Sequence, residues 1–308
     1  VKDEAVLQRT DVQASARTEG RAASSVSDYI ELSKPRITLL VVITAAVGYF
    51  MASGGRLWPL GLAHIMLGTG LVSAGASVLN QVLERDADAR MRRTRNRAIP
   101  AGRVSPGAGL AYGVILGLGG VLYIAVFLNA LTALLAAATL ASYVFVYTPL
   151  KRVTTLNTLI GAVPGALPPV GGWAAAAGTL SREAWVLFLI VFLWQVPHFL
   201  AIAWLLRDDY ARGGFRMLSV EDPEGRSTGR HIALGALALV PVSLSPTLLG
   251  MTGSTYFFGA LALTVAFAAL GLWMAHRPTD ARARWLFLGS IAYLPALLAV
   301  MMIDRMPR

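Results

Sequence analysis

The chain contains no cysteine, which excludes disulfides, thiolate metal centres and cysteine nucleophiles within it. Charge is scarce: 14% of its 308 residues are Asp, Glu, Lys or Arg. Long polar stretches are missing too. The two longest between apolar runs, 84–106 and 207–230, each hold fewer than 25 residues, so no separate soluble domain fits between them. Residues 1–27 have no apolar core segment and read as a floppy polar tail, not a cleaved signal. The apolar runs are long and uniform and do not alternate with period two, which argues against a membrane β-barrel.

What the chain has in abundance is apolar sequence: 56% of residues, with a mean hydropathy of +0.60. Stretches of roughly 20 apolar residues, enough to cross a bilayer, recur along it. Nine spans are predicted, near 37–53, 58–83, 107–128, 130–148, 156–177, 184–206, 231–251, 254–275 and 285–303. The fold class is therefore all-α, a polytopic membrane bundle of about nine helices around a central cavity, occupying 28–308. Spans 3 and 4 are separated by almost nothing at Asn129, so they should form a tight hairpin. A short interfacial helix is expected from Asp28, ended by Pro35. The two acidic loops follow spans 2 and 6, a spacing that suggests two four-helix units about a shared cavity with a ninth helix added.

The net charge of +10 is explained by topology without invoking nucleic acid. With the N-terminus inside, 23 of the 27 Lys and Arg fall on the inner side, as the positive-inside rule expects. The outer side holds Arg56, Arg182, Arg305 and Arg308.

The inner loops carry the chemistry. Residues 80–106 place acidic side chains directly against seven arginines. Helical positions i, i+4 and i+8 drift by only about 40° per step, so Asn80, Glu84 and Asp88 share a face. Three oxygen-bearing side chains at a membrane surface suit a hard cation such as Mg²⁺, and the arginines beyond suit phosphate oxygens. The alternative is a solvated, salt-bridged helix end. Arg207-Asp208-Asp209-Tyr210 forms a second acidic cluster, open to the same two readings. Two such patches on one face could hold two cations about a diphosphate. Lys151 and Arg152, beside Tyr143 and Tyr147, either mark topology or neutralise phosphate. Gln195, Pro197 and His198 lie deep in span 6, where polar groups face the interior; His198 is either a core histidine or a ligand-facing one. Residues 161–173 hold three prolines and four glycines, fitting a kinked packing helix or one bent to line a cavity.

Four segments resemble the heme-farnesylating branch of the UbiA-type intramembrane prenyltransferases. They are Ser33-Lys-Pro-Arg36; Asn80…Glu84-Arg-Asp-Ala-Asp88…Arg93-Thr-Arg-Asn-Arg97; Tyr147-Thr-Pro-Leu-Lys-Arg152 with Asn157 and the run ending at Trp173; and Trp194-Gln-Val-Pro-His-Phe199 followed by Arg207-Asp-Asp-Tyr210. Glu84 stands where the family usually has Asp, and Ala98 replaces a common Pro. The superfamily's second Asp-x-x-x-Asp falls on Leu206 and Tyr210, leaving Asp208 and Asp209 as the local carboxylates.

The resemblance implies transfer of a farnesyl group from farnesyl diphosphate to a vinyl group of heme B, with Mg²⁺ held by Asn80, Glu84, Asp88, Asp208 and Asp209. It implies catalytic roles for Asn80, Glu84, Asp88 and Tyr147. Diphosphate or heme contacts would come from Arg93, Arg97, Lys151, Arg152, Asn157, Gln195 and His198. It further implies a bacterial cytoplasmic membrane and a heme A synthase or cytochrome oxidase assembly factor as partner; the charge bias puts the C-terminus outside. The rival readings are a prenyltransferase acting on a quinone precursor or chlorophyll-type ring, and a polytopic transporter.

Overall fold

The computed structural model describes residues 24–54 and 58–306; most of the expected polar tail lies outside them. Helix α1 (Val26–Leu32) opens on a capping box in which Ser25 and Asp28 satisfy each other's backbone N–H. It ends one turn before Pro35, which instead starts α2 (Pro35–Ala52). The break between them is Lys34, held at φ 46°, a left-handed conformation costly for a side-chain-bearing residue. Pro35 thus begins a helix where the sequence suggests it ends one, because a proline at the first helical position loses no hydrogen bond.

The remaining long helices are α3 (Pro59–Leu83), α5 (Pro106–Phe127), α6 (Ala130–Leu150), α7 (Asn157–Ala177), α8 (Arg182–Leu205), α11 (Arg226–Leu248), α12 (Ser254–His276) and α13 (Asp280–Ile303). Short helices lie between the long ones: α4 (Arg85–Arg90), α9 (Arg207–Gly213) and α10 (Leu218–Glu221). Among the described residues, nine helices are long and apolar enough to cross a membrane. Asn129 caps α6 by accepting the Thr132 N–H at 2.9 Å, giving the tight α5–α6 hairpin the sequence suggests.

The helices divide five and four, not into two fours and a ninth. Helices α2, α3, α5, α6 and α7 close a ring, each packed on its neighbours, while α8, α11, α12 and α13 form a second unit joined through α7 and α8. Closure between α2 and α7 follows from small residues. A Cβ on Gly48 would strike the Pro169 backbone, and one on Gly172 the Ala45 backbone, so the glycines permit backbone contact. The second unit has an aromatic core. Tyr256, Phe267 and Tyr293 fill it, and the Tyr293 hydroxyl lies 2.9 Å from both Ser243 Oγ and Thr264 Oγ1.

Within the first ring lies an apolar cavity, walled from all five helices. Pro164, Gly165, Pro168 and Gly171 of α7 line it, so the proline-rich helix both packs closely and borders a cavity.

Candidate active site

At one end the cavity meets a polar cleft lined by Glu31, Lys34, Ile37, Asn80, Gln81, Glu84, Asp88, Met91, Arg93, Arg97, Tyr143, Lys151, Tyr210 and Phe215. Ile37 and Tyr143 border both spaces. The molecule therefore joins an ionic chamber to a greasy one, the two environments an amphiphile with a charged head requires.

The chamber is built on α3. Its last turn runs into α4 through Glu84, with the Glu84 N–H donating to Asn80 O at 2.9 Å and the Asp88 N–H to Glu84 O at 2.8 Å. These bonds keep Asn80, Glu84 and Asp88 on one face, and all three are buried. Asn80 Nδ2 donates to Thr148 Oγ1 at 3.1 Å, leaving Oδ1 as the acceptor end. Thr148 Oγ1 in turn donates to Tyr143 O, closing a π-helical stretch, Ser142–Tyr147. Such wide turns recur at functional sites; this one brings Tyr143 to the cleft.

Each buried carboxylate has a cation. Lys151 Nζ lies 2.8 Å from Glu84 Oε1 and Arg97 donates to Asp88 Oδ2 at 2.8 Å. Lys151 also sits 4.5 Å from the centre of the Tyr147 ring. Burial alone would lower the Lys151 pKa, but Glu84 outweighs it and the ammonium is held above its ordinary range. Lys34 has no such partner. Burial first, then the charges of Arg97 and Lys151, push it down to about 7.

Of the residues singled out in the sequence, the cleft gathers Asn80, Glu84, Asp88, Arg93, Arg97 and Lys151, with Tyr147 beneath Lys151. It does not gather the others. Arg152 and Asp208 are exposed. Asn157 donates to Thr154 O and Arg216 O, and so ties two inner loops together. Gln195 donates to Val191 O at 3.2 Å. Nδ1 of His198 lies 2.6 Å from Ser290 Oγ, and its ring stacks on Trp194, so it joins α8 to α13 away from the cleft.

Asp209 is held by its own set of partners. Its oxygens accept the N–H groups of Arg92 and Arg93 and pair with Arg212. Burial would raise its pKa, but Arg212 and the two amides outweigh this and hold the carboxyl below its ordinary range. Asp209 fastens the loop that presents Arg93. Both acidic clusters are thus near the cleft, one lining it and one bracing it.

A family model described as the UbiA prenyltransferase family matches residues 41–294. The chain belongs to this family. A protoheme IX farnesyltransferase of Solibacter usitatus is 48% identical over 90% of this chain and 98% of its own length. One of Koribacter versatilis is 45% identical, covering 92% and 94%. Among solved structures, one described with digeranylgeranylglyceryl phosphate synthase superposes with a TM-score of 0.76 at 16% identity, covering 91% of this chain and 98% of the other. A UbiA homolog from Archaeoglobus fulgidus bound to GPP and Mg²⁺ gives 0.62 at 13% identity, covering 89% and 99%. At those identities the structures establish shared architecture.

Within this UbiA prenyltransferase, several cleft residues have no role in the sequence reading: Glu31, Gln81 and Phe215, which it does not name, and Lys34, Tyr143 and Tyr210, which it names only beside other residues. Lys34 carried a signal, a lysine placed directly before the first span. Tyr143 carried little, since a regular helix would not bring it to the position that the π-turn gives it.

Proposed function

We propose that the chain transfers a farnesyl group from farnesyl diphosphate to a vinyl group of heme B, in a bacterial cytoplasmic membrane with the cleft facing the cytoplasm. The observation that carries this reading is the joined pair of spaces: a cationic chamber for a diphosphate and an apolar cavity for its chain. The heme acceptor rests on the names of the relatives at 45–48% identity and on the Trp194–Phe199 motif.

The donor set suits Mg²⁺. Among the described residues no three His, Asp or Glu form a self-sufficient metal cage. Mg²⁺ needs none, since it takes one or two carboxylates and completes its shell with water and substrate phosphates. Asn80, Glu84 and Asp88 would hold it, and when bound it supplies Lewis-acid stabilisation of the diphosphate. Lys151 and Arg97, beside those carboxylates, line the cleft with Arg93 and Lys34, and the four would meet the phosphate oxygens. Cleavage of the C1–O bond leaves negative charge on diphosphate, which these four cations stabilise. The allylic cation remains beside Tyr143, which borders both spaces and whose ring face favours positive charge. Attack by the vinyl group forms the C–C bond and moves the cation to the porphyrin side. Water captures it, and loss of one proton leaves a hydroxyl.

Lys34 gives the reading a pH dependence. Above about 7 the free cleft holds Lys34 largely as the neutral amine, so binding a diphosphate must bring in a proton. Affinity for Mg²⁺-diphosphate should weaken by up to about tenfold per pH unit above neutrality, until the bound-state pKa is reached. Calorimetry in buffers of differing ionisation enthalpy should register proton uptake, and Lys34→Arg should flatten both effects. An affinity independent of pH between about 6 and about 9 would remove Lys34 from the site.

The function itself is tested with an acceptor panel. Purified protein in nanodiscs receives labelled farnesyl diphosphate, Mg²⁺ and either heme B or an aromatic quinone precursor. Label should pass to heme alone; label on the aromatic ring would favour the rival reading.

A further inference from the structure

The cavity has an end, and that end has a position. Its wall on α3 runs from Ser77, near the cleft, to Ile65, and on α6 from Tyr143 to Thr132. At about 1.5 Å rise per residue these walls are ~18 and ~16 Å long. The far end is closed by Ile65 and Ile124, both fully buried and both lining the cavity. Ile65 packs against Ala45 and Tyr49, and Ile124 packs in a separate cluster with Val72. Both stops are therefore backed by protein.

An extended chain gains roughly 1.2 Å per bond, from an extended polypeptide's 3.3–3.6 Å over three bonds. The eleven main-chain bonds of a farnesyl group therefore span ~13 Å and the fifteen of a geranylgeranyl group ~18 Å. With C1 held at the mouth beside Tyr143, the shorter chain stops about one van der Waals contact, roughly 4 Å, from the end wall. The longer one would need the space the isoleucines occupy.

Opposite them, Gly171 lines the cavity, and a Cβ built on it would meet nothing within 4 Å. Its neighbour Gly172 differs, since a Cβ there strikes Ala45. Gly172 is thus explained by helix packing and Gly171 is not; the missing side chain at 171 leaves open bore.

We propose that Ile65, Ile124 and Gly171 set the length of the transferred chain: the isoleucines stop it at fifteen carbons, and the bare glycine keeps the bore wide enough for the third isoprene unit. This rests on the prenyl-transfer reading above and adds the selection of donor length.

The test compares geranyl, farnesyl and geranylgeranyl diphosphates as donors to heme B, with Mg²⁺-dependent binding of each ester measured alongside. The parent should favour the fifteen-carbon donor over the twenty-carbon one by at least about tenfold in kcat/KM. Ile65→Ala and Ile124→Ala should raise the twenty-to-fifteen ratio by about tenfold or more. Gly171→Leu, which adds volume and opens no void, should cut farnesyl use by a similar factor while sparing the ten-carbon donor. If an isoleucine variant fails to fold, Gly171→Leu and the milder Gly171→Ala decide alone. Unchanged donor ratios across the folded variants would overturn the gauge. Failure of heme as acceptor, with length-graded binding of the esters intact, would overturn the acceptor assignment and leave the gauge standing.

Discussion

Replacing Asp88 by asparagine should lower farnesyl transfer on the order of 10³-fold at ordinary Mg²⁺ concentration. Asp88 is 1% exposed, stands in line with Asn80 and Glu84, and borders the cleft. Asparagine keeps the shape and removes the charge, so it removes a hard anionic oxygen from the proposed metal site and leaves Arg97 without its partner. Breaking a buried ion pair from one side commonly costs about 3–5 kcal/mol of stability. Here the figure is an upper bound, because Arg97 keeps 19% of its side chain exposed and solvent screens it. Thermal melting in detergent separates the two effects. A variant that melts near the parent yet fails in transfer supports the metal role. A folded variant with activity within a few-fold of the parent would remove Asp88 from it.

Lys151→Met should cost about 10²–10³-fold, the usual range for losing one group aimed at developing charge. The ammonium lies between Glu84 and the face of Tyr147, and the loop carrying it is held by the Arg216 N–H donating to Lys151 O at 2.8 Å. Methionine retains the stem and the apolar contacts. The loss should fall mainly in kcat, because charge on the diphosphate grows during ionisation and is smaller in the bound substrate. Steady-state kinetics with farnesyl diphosphate as the varied substrate distinguish the cases. A rise in KM with kcat unchanged would make Lys151 a binding contact and nothing more.

Much of this architecture is legible in the sequence. Long apolar runs gave all nine spans, because a bilayer tolerates little besides an apolar helix at such lengths. Asn80, Glu84 and Asp88 were legible because helical periodicity alone puts them on one face. What the sequence does not show is equally physical. Asp209 is acidic and near the site, but which partners a carboxylate finds is a tertiary matter; here they are the Arg92 and Arg93 amides. His198 is polar and deep in the membrane, yet Ser290 of α13 supplies its hydrogen bond, and sequence spacing cannot foresee a partner 92 residues away. The five-and-four division depended on glycines that let α2 and α7 touch at Gly48 and Gly172, and Lys34 entered the cleft through a backbone break no periodicity reports.

On the proposed reading, one membrane chain ionises farnesyl diphosphate in the cleft and delivers the farnesyl cation to heme. Purified protein in nanodiscs, given heme B, farnesyl diphosphate and Mg²⁺ in ¹⁸O-labelled water, should yield a heme heavier by one farnesyl group and one hydroxyl carrying the label. The Asp88→Asn variant should yield almost none. Unmodified heme with intact farnesyl diphosphate, from folded protein with Mg²⁺ present, would contradict the account.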